Sequence, residues 1–84
     1  MTLNRANIYH PTTERDKLIC EVEYKLNQEL HNSGRSIWLN YANNGGFFTL
    51  MLTVFERNNY RMHFGRINKI TQDDVNNFVL KNLN

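Results

Sequence analysis

The chain is expected to fold as an α+β domain in the order α-β-β-β-α. Three strands would form an antiparallel meander, with two helices packed on one face. Three observations predict this. Residues 12–34, "TTERDKLICEVEYKLNQELHNSG", place Leu18, Ile19, Val22, Leu26 and Leu30 on one stripe at helical spacing. Residues 35–67 hold three strand-forming runs divided by the turn clusters "NNGG" and "RNN". Residues 71–83, "TQDDVNNFVLKNL", carry a second helical stripe of Val75, Phe78, Val79 and Leu83.

Residues 1–11 have no clear periodicity and read as an arm or a short edge strand, closed by Pro11. The first helix has good start signals. Thr12 or Thr13 can accept from a free N–H of the first turn, Thr13 with Asp16 forms a weak capping box, and Glu14 and Asp16 suit the positive end of the helix dipole. Gly34 can take the left-handed conformation that ends it. The strands are "RSIWLNYA", "FFTLMLTVFE" and "YRMHFGRI", at 35–42, 47–56 and 60–67. Phe, Val and Thr favour the second, and its apolarity suits the middle of a sheet. Thr71 caps the second helix, with Asp74 three residues on. No repeat or internal boundary divides the 84 residues, so one domain is expected.

The central strand is apolar on both parities, so the register decides which residues face the helices. A four-residue "NNGG" loop sets Tyr41 opposite Phe48, Leu39 opposite Leu50 and Ile37 opposite Leu52. For the second turn, a two-residue Asn58-Asn59 loop would leave the sheet apolar on both sides. A three-residue Arg57-Asn58-Asn59 loop with Asn59 left-handed divides the faces more cleanly and is preferred. The core face is then Ile37, Leu39, Tyr41, Phe48, Leu50, Leu52, Val54, Met62 and Phe64. The open face carries Trp38, Phe47, Met51 and Phe55 with Thr49, Thr53, Arg61 and His63. The alternatives are a reversed face assignment, or burial of this face by residues 1–11.

Composition bounds the function. The chain is 40% hydrophobic and 21% charged with one Pro, which argues against disorder. Its single cysteine, Cys20, allows no intramolecular disulfide, and no apolar run reaches signal-peptide or membrane-span length. A cytoplasmic protein is therefore expected. Net charge is only +2, but residues 12–33 sum to −2 and residues 34–70 to +4, where Arg35, Arg57, Arg61, Arg66 and Lys69 oppose Glu56 alone. A nucleic acid or an acidic protein could use that basic segment, and a solvated sheet edge guarded by arginines is the plainer explanation.

Nothing in the chain reads as catalytic or as a cofactor site. His10, His31 and His63 have no metal-ligand spacing, and no local sequence supplies Cys20 with a base. "NNGG" lacks the lysine and helix of a phosphate loop. No enzyme activity and no cofactor are expected. The candidate binding residues are Trp38, Phe47, Met51, Phe55, Arg57, Arg61, His63 and Arg66, of the types found in interface cores and margins. The expectation is a non-enzymatic protein-interaction module, either a homodimer or a regulator or inhibitor of another protein. Small size and fourteen asparagines would suit a phage or mobile-element origin.

The alternative is a nucleic-acid-binding domain in which aromatics stack bases and arginines hold phosphates. The α-β-β-β-α order resembles the topology of double-stranded-RNA-binding domains. Those domains grip phosphate with a lysine-rich start to the second helix, where this chain reads "ITQDDVNN", which is acidic. The aromatic spacing also does not reproduce the motifs of RNA-recognition sheets.

Overall fold

The structure is a computed structural model that describes residues 2–5 and 11–83. The elements run β1 (Thr2–Arg5), α1 (Glu14–Leu30), a 3-10 turn (His31–Ser33), β2 (Arg35–Asn43), β3 (Phe48–Glu56), β4 (Asn59–Ile67) and α2 (Gln72–Leu83). The expected meander is present as β2-β3-β4, with both helices on one face. Residues 2–5 add an antiparallel edge strand, so the sheet order is β1-β2-β3-β4. Of residues 1–11, weighed as a cover for the open face, residues 2–5 lie in the sheet as this edge strand and not across the face, and residues 1 and 6–10 lie outside the described ones.

The predicted caps form. Thr13 Oγ1 accepts from the Asp16 N–H while the Asp16 carboxylate accepts from the Thr13 N–H, a complete capping box. Gly34 ends the first helical segment at φ 75°. Thr71 Oγ1 accepts from the Asp74 N–H. The core holds most of the expected residues: Ile19, Val22, Leu26 and Leu30 of α1, Val75, Val79 and Leu83 of α2, and Ile37, Leu39, Tyr41, Leu50, Leu52 and Val54 of the sheet, with Leu18, Phe48 and Phe78 partly buried against it; Met62 and Phe64, expected there, are exposed. Cys20 is buried with them. No described helix is long and apolar enough to cross a membrane.

Two registers differ from expectation. Asn43 pairs with Phe48, so the first hairpin loop is Asn44–Phe47 and Tyr41, Leu39 and Ile37 oppose Leu50, Leu52 and Val54. The shift is two residues and leaves every side chain on its expected face. Asn43 Oδ1 accepts from the Gly45 N–H, and Asn44 N–H bonds the Phe47 carbonyl, which hold the loop in this frame.

The second shift is one residue and has larger effects. Glu56 pairs with Asn59, so the loop is Arg57-Asn58 and the residue at positive φ is Arg57 (53°), not Asn59. Arg61 and His63 therefore lie on the helix side of β4, opposite Val54 and Leu52, while Met62 and Phe64 lie on the open side. The preferred three-residue loop assumed that apolar β4 residues face the helices. Instead, Phe78 of α2 fills that space and needs Gly65 beneath it. A Cβ at residue 65 would stand 2.4 Å from the Phe78 ring.

Candidate functional site

The open sheet face is assembled from alternate residues of three strands. Trp38 comes from β2, Met51, Thr53 and Phe55 from β3, and Tyr60, Met62, Phe64 and Arg66 from β4. Trp38 meets Phe55 edge-on with ring centroids 5.2 Å apart, and Phe55 meets Tyr60 at 6.2 Å. These contacts run across the strands and tie the aromatics into one cluster. Four of its members are strongly exposed: Trp38 at 49%, Tyr60 at 68%, Met62 at 49% and Phe64 at 63%. Contiguous apolar exposure of this kind is uncommon on monomers and marks interaction surfaces.

The eight predicted site residues divide into four groups. Trp38, Met51 and Phe55 share the open face. Phe47 sits in the β2–β3 loop at the margin of that face, where the Arg66 guanidinium lies over its ring at 3.9 Å from the centroid. Arg57 is exposed in the β3–β4 turn. Arg61 and His63 are not part of the face. Arg61 donates to the Leu83 carbonyl at 2.8 Å and the Asn82 carbonyl at 3.3 Å, pairs with Glu56 at 2.7 Å, and donates through Nε to His63 Nε2 at 3.1 Å. Arg35 reaches the same Leu83 carbonyl at 2.9 Å. Two guanidinium groups thus neutralise the negative end of α2.

Three residues of the open face escaped the sequence pattern: Tyr60, Met62 and Phe64. The available signal was Gly65, a small residue at a position where Phe78 of the helical stripe could press on the strand. Among the described side chains the face holds one cation, Arg66, and no carboxylate. The basic segment therefore does not make a basic stripe. Arg35 and Arg61 are engaged with α2, Arg66 with Phe47, and Arg57 stands apart in a turn.

The opposite strand edge is closed by α1. Beyond the last β1 pair, Arg5 with Asn40, the N–H of Leu39 donates to Glu23 Oε2 at 2.6 Å. One turn further along α1, Asn27 accepts from the Ile37 N–H at 2.8 Å and donates to its carbonyl at 3.1 Å. Two side chains, four residues apart on one helix face, do the work of a neighbouring strand. Glu23 is almost wholly buried, and a carboxylate there is tolerated because it satisfies a strand N–H.

At the other end of α1, Asp16 accepts from Tyr41 Oη at 2.5 Å and from Thr12 Oγ1 at 2.8 Å. The Tyr41 bond leads in lowering the Asp16 pKa, against partial burial. Burial, then the Asp16 bond, pushes the Tyr41 phenol up. Among the described residues, no three His, Cys, Asp or Glu side chains converge as a metal site would require.

In comparison with known proteins, no family model matches the chain, and neither the curated proteins nor the solved structures yield a significant match.

Proposed function

We propose that the chain is a non-enzymatic protein-interaction module that binds through its open sheet face. The observation that carries this reading is the contiguous Trp38, Phe55, Tyr60, Met62 and Phe64 surface with one cation at its margin. Its complement is an apolar polypeptide surface, neutral at the centre and acidic at most where it meets Arg66. Aromatic and methionine side chains of this kind dominate interface energies when water is excluded from them. A small regulator or inhibitor of this design works by covering a partner's surface, and a second copy of the chain is one surface that fits. The buried single cysteine suits a cytoplasmic setting.

Nucleic-acid binding is the second reading, supported by the stacking surface alone. The scattered arginines count against it, because phosphate-driven affinity needs cations along one track.

Mass in solution, compared for wild type and Trp38→Ala at low and high salt, is the first experiment. A wild-type assembly that the substitution reduces and salt leaves unchanged supports the protein interface. Equal masses, with RNA or DNA bound and released by salt, would move the assignment to the second reading.

A further inference from the structure

We infer that β4 pairs edge-to-edge with β4 of a second copy, about a two-fold axis at His63, to give a continuous eight-stranded sheet. This deepens the protein-interaction reading by naming the partner, but it stands on backbone groups rather than on the face.

The direction of those groups follows from α1. Ile37 and Leu39 turn their N–H groups away from β3, toward Asn27 and Glu23. In an antiparallel ladder, residues alternate between bonding one neighbour and bonding the other. Ile37 and Leu39 oppose Val54 and Leu52, which must then bond β4 through Arg61 and His63. The N–H and C=O groups of Tyr60, Met62, Phe64 and Arg66 consequently point out of the sheet. No hydrogen bond to a described residue takes them up. The outer side of β2 is covered by β1 and by two side chains of α1, whereas β4, an edge strand of the sheet, presents nine extended residues without proline. Natural sheets seldom leave such an edge uncovered.

Self-pairing suits this edge in detail. Opposed residues must share a face, and the axis at His63 keeps all nine residues paired. On the open side Met62 meets the second copy's Phe64, and Tyr60 meets its Arg66, a cation on an aromatic ring. On the helix side Arg61 meets Gly65, which has no side chain to contest the space. Moving the axis to Arg61 or Arg66 would set like charges opposite each other, and moving it to Met62 or Phe64 shortens the paired length. Each of the four outward residues exchanges both backbone bonds with its opposite number. The helices also fit. α2 packs over both β3 and β4, so a strand spacing of about 4.8 Å sets it roughly 10 Å from its mate, a distance at which helices pack. The open faces of both copies then form one surface of twice the length.

Two sets of variants test this. Met62→Pro removes an N–H that β3 does not use, so the fold should persist while the dimer is lost, read as a halved mass by light scattering with the helical circular dichroism retained. His63→Cys should cross-link to its own copy on mild oxidation, because that residue alone lies opposite itself, whereas Asn59→Cys, at the far end of the paired strand, should not. If Met62→Pro fails to fold, the cysteine pair decides. A wild-type monomer at every concentration would overturn the inference. So would a dimer that Met62→Pro leaves intact or that cross-links through Asn59→Cys as readily as through His63→Cys. A dimer lost in Trp38→Ala but kept in Met62→Pro would overturn the edge pairing and leave the open face as the interface. Loss in Met62→Pro alone would support the edge.

Discussion

Asn27 of α1 holds Ile37 of β2 with both arms of its carboxamide, accepting from the N–H at 2.8 Å and donating to the carbonyl at 3.1 Å. These are the two bonds an adjacent strand would supply, and they come from a side chain. Asn27→Ala leaves both backbone groups without protein partners beside a buried strand. Stranding such groups costs roughly 1–3 kcal/mol. The expected result is a loss of about 2 kcal/mol in urea unfolding, and Asn27→Asp, which keeps only the acceptor, should fall between. A wild-type midpoint for Asn27→Ala would show that water replaces the carboxamide at no cost.

Asp16 and Tyr41 make stability depend on pH at both ends of the scale. The Asp16 pKa is held below its ordinary 3.8, first by the Tyr41 bond. Its contribution is therefore present above the unfolded value and is lost as pH falls through the lower folded value. The Tyr41 pKa is raised above 10.0 by burial and then by Asp16. That contribution is present below the unfolded value and is lost as pH rises through the higher folded one. Tyr41→Phe should flatten the fall in stability below about pH 4 and above about pH 10. Denaturation curves across those two windows provide the check. Unchanged slopes in both would mean that other groups carry the pH dependence.

Gly65 is required by Phe78. A Cβ at residue 65 would stand 2.4 Å from one ring atom and 2.7 Å from the next, so Gly65→Ala must displace the ring. A loss of about 1–3 kcal/mol is expected, as for other overpacked sites. Phe78→Leu in the same chain should recover part of it, a non-additivity that a double-mutant cycle measures. Strict additivity would place the cost in the strand backbone instead.

Arg61 lies on the helix side of the sheet and holds the end of α2 rather than facing the open surface. Arg61→Met removes two bonds to the last carbonyls of α2 and the ion pair with Glu56. The ion pair is more than a third exposed on both sides and is screened, so most of the expected loss of roughly 1–2 kcal/mol comes from the helix end. Hydrogen exchange should accelerate in the final turn of α2. Selective loss of partner or nucleic-acid binding, with α2 unaffected, would restore Arg61 to the site.

Arg57 adopts a left-handed conformation, φ 53°, that most side chains disfavour. Arg57→Gly should raise stability by about 0.5–1 kcal/mol, the relief of strain exceeding the added entropy of the unfolded chain. The midpoint of thermal unfolding reports the sign directly. A lower midpoint would mean that the arginine makes compensating contacts.

Local chemistry alone accounts for much of the molecule. The Thr13–Asp16 box, Gly34 and Thr71 mark the helix ends, and the stripes from Ile19 to Leu30 and from Val75 to Leu83 select their buried faces. Strand parity on β2 and β3 was equally legible, because a two-residue error in the first loop leaves Leu39 and Leu52 inside. The fate of β4 was decided only by tertiary contacts. A one-residue slip exchanges Met62 and Phe64 with Arg61 and His63, and both arrangements satisfy a simple apolar pattern. Packing of Phe78 on Gly65, the carbonyls of Leu83 and Asn82 offered to Arg61, and a left-handed Arg57 together select one of them. Glu23 and Asn27 teach the same lesson from α1. In the sequence they are polar positions bordering an apolar stripe. Only the docking of the helix against β2 turns them into the missing half of a strand ladder, since a backbone donor left dry costs more than burying the side chain that satisfies it.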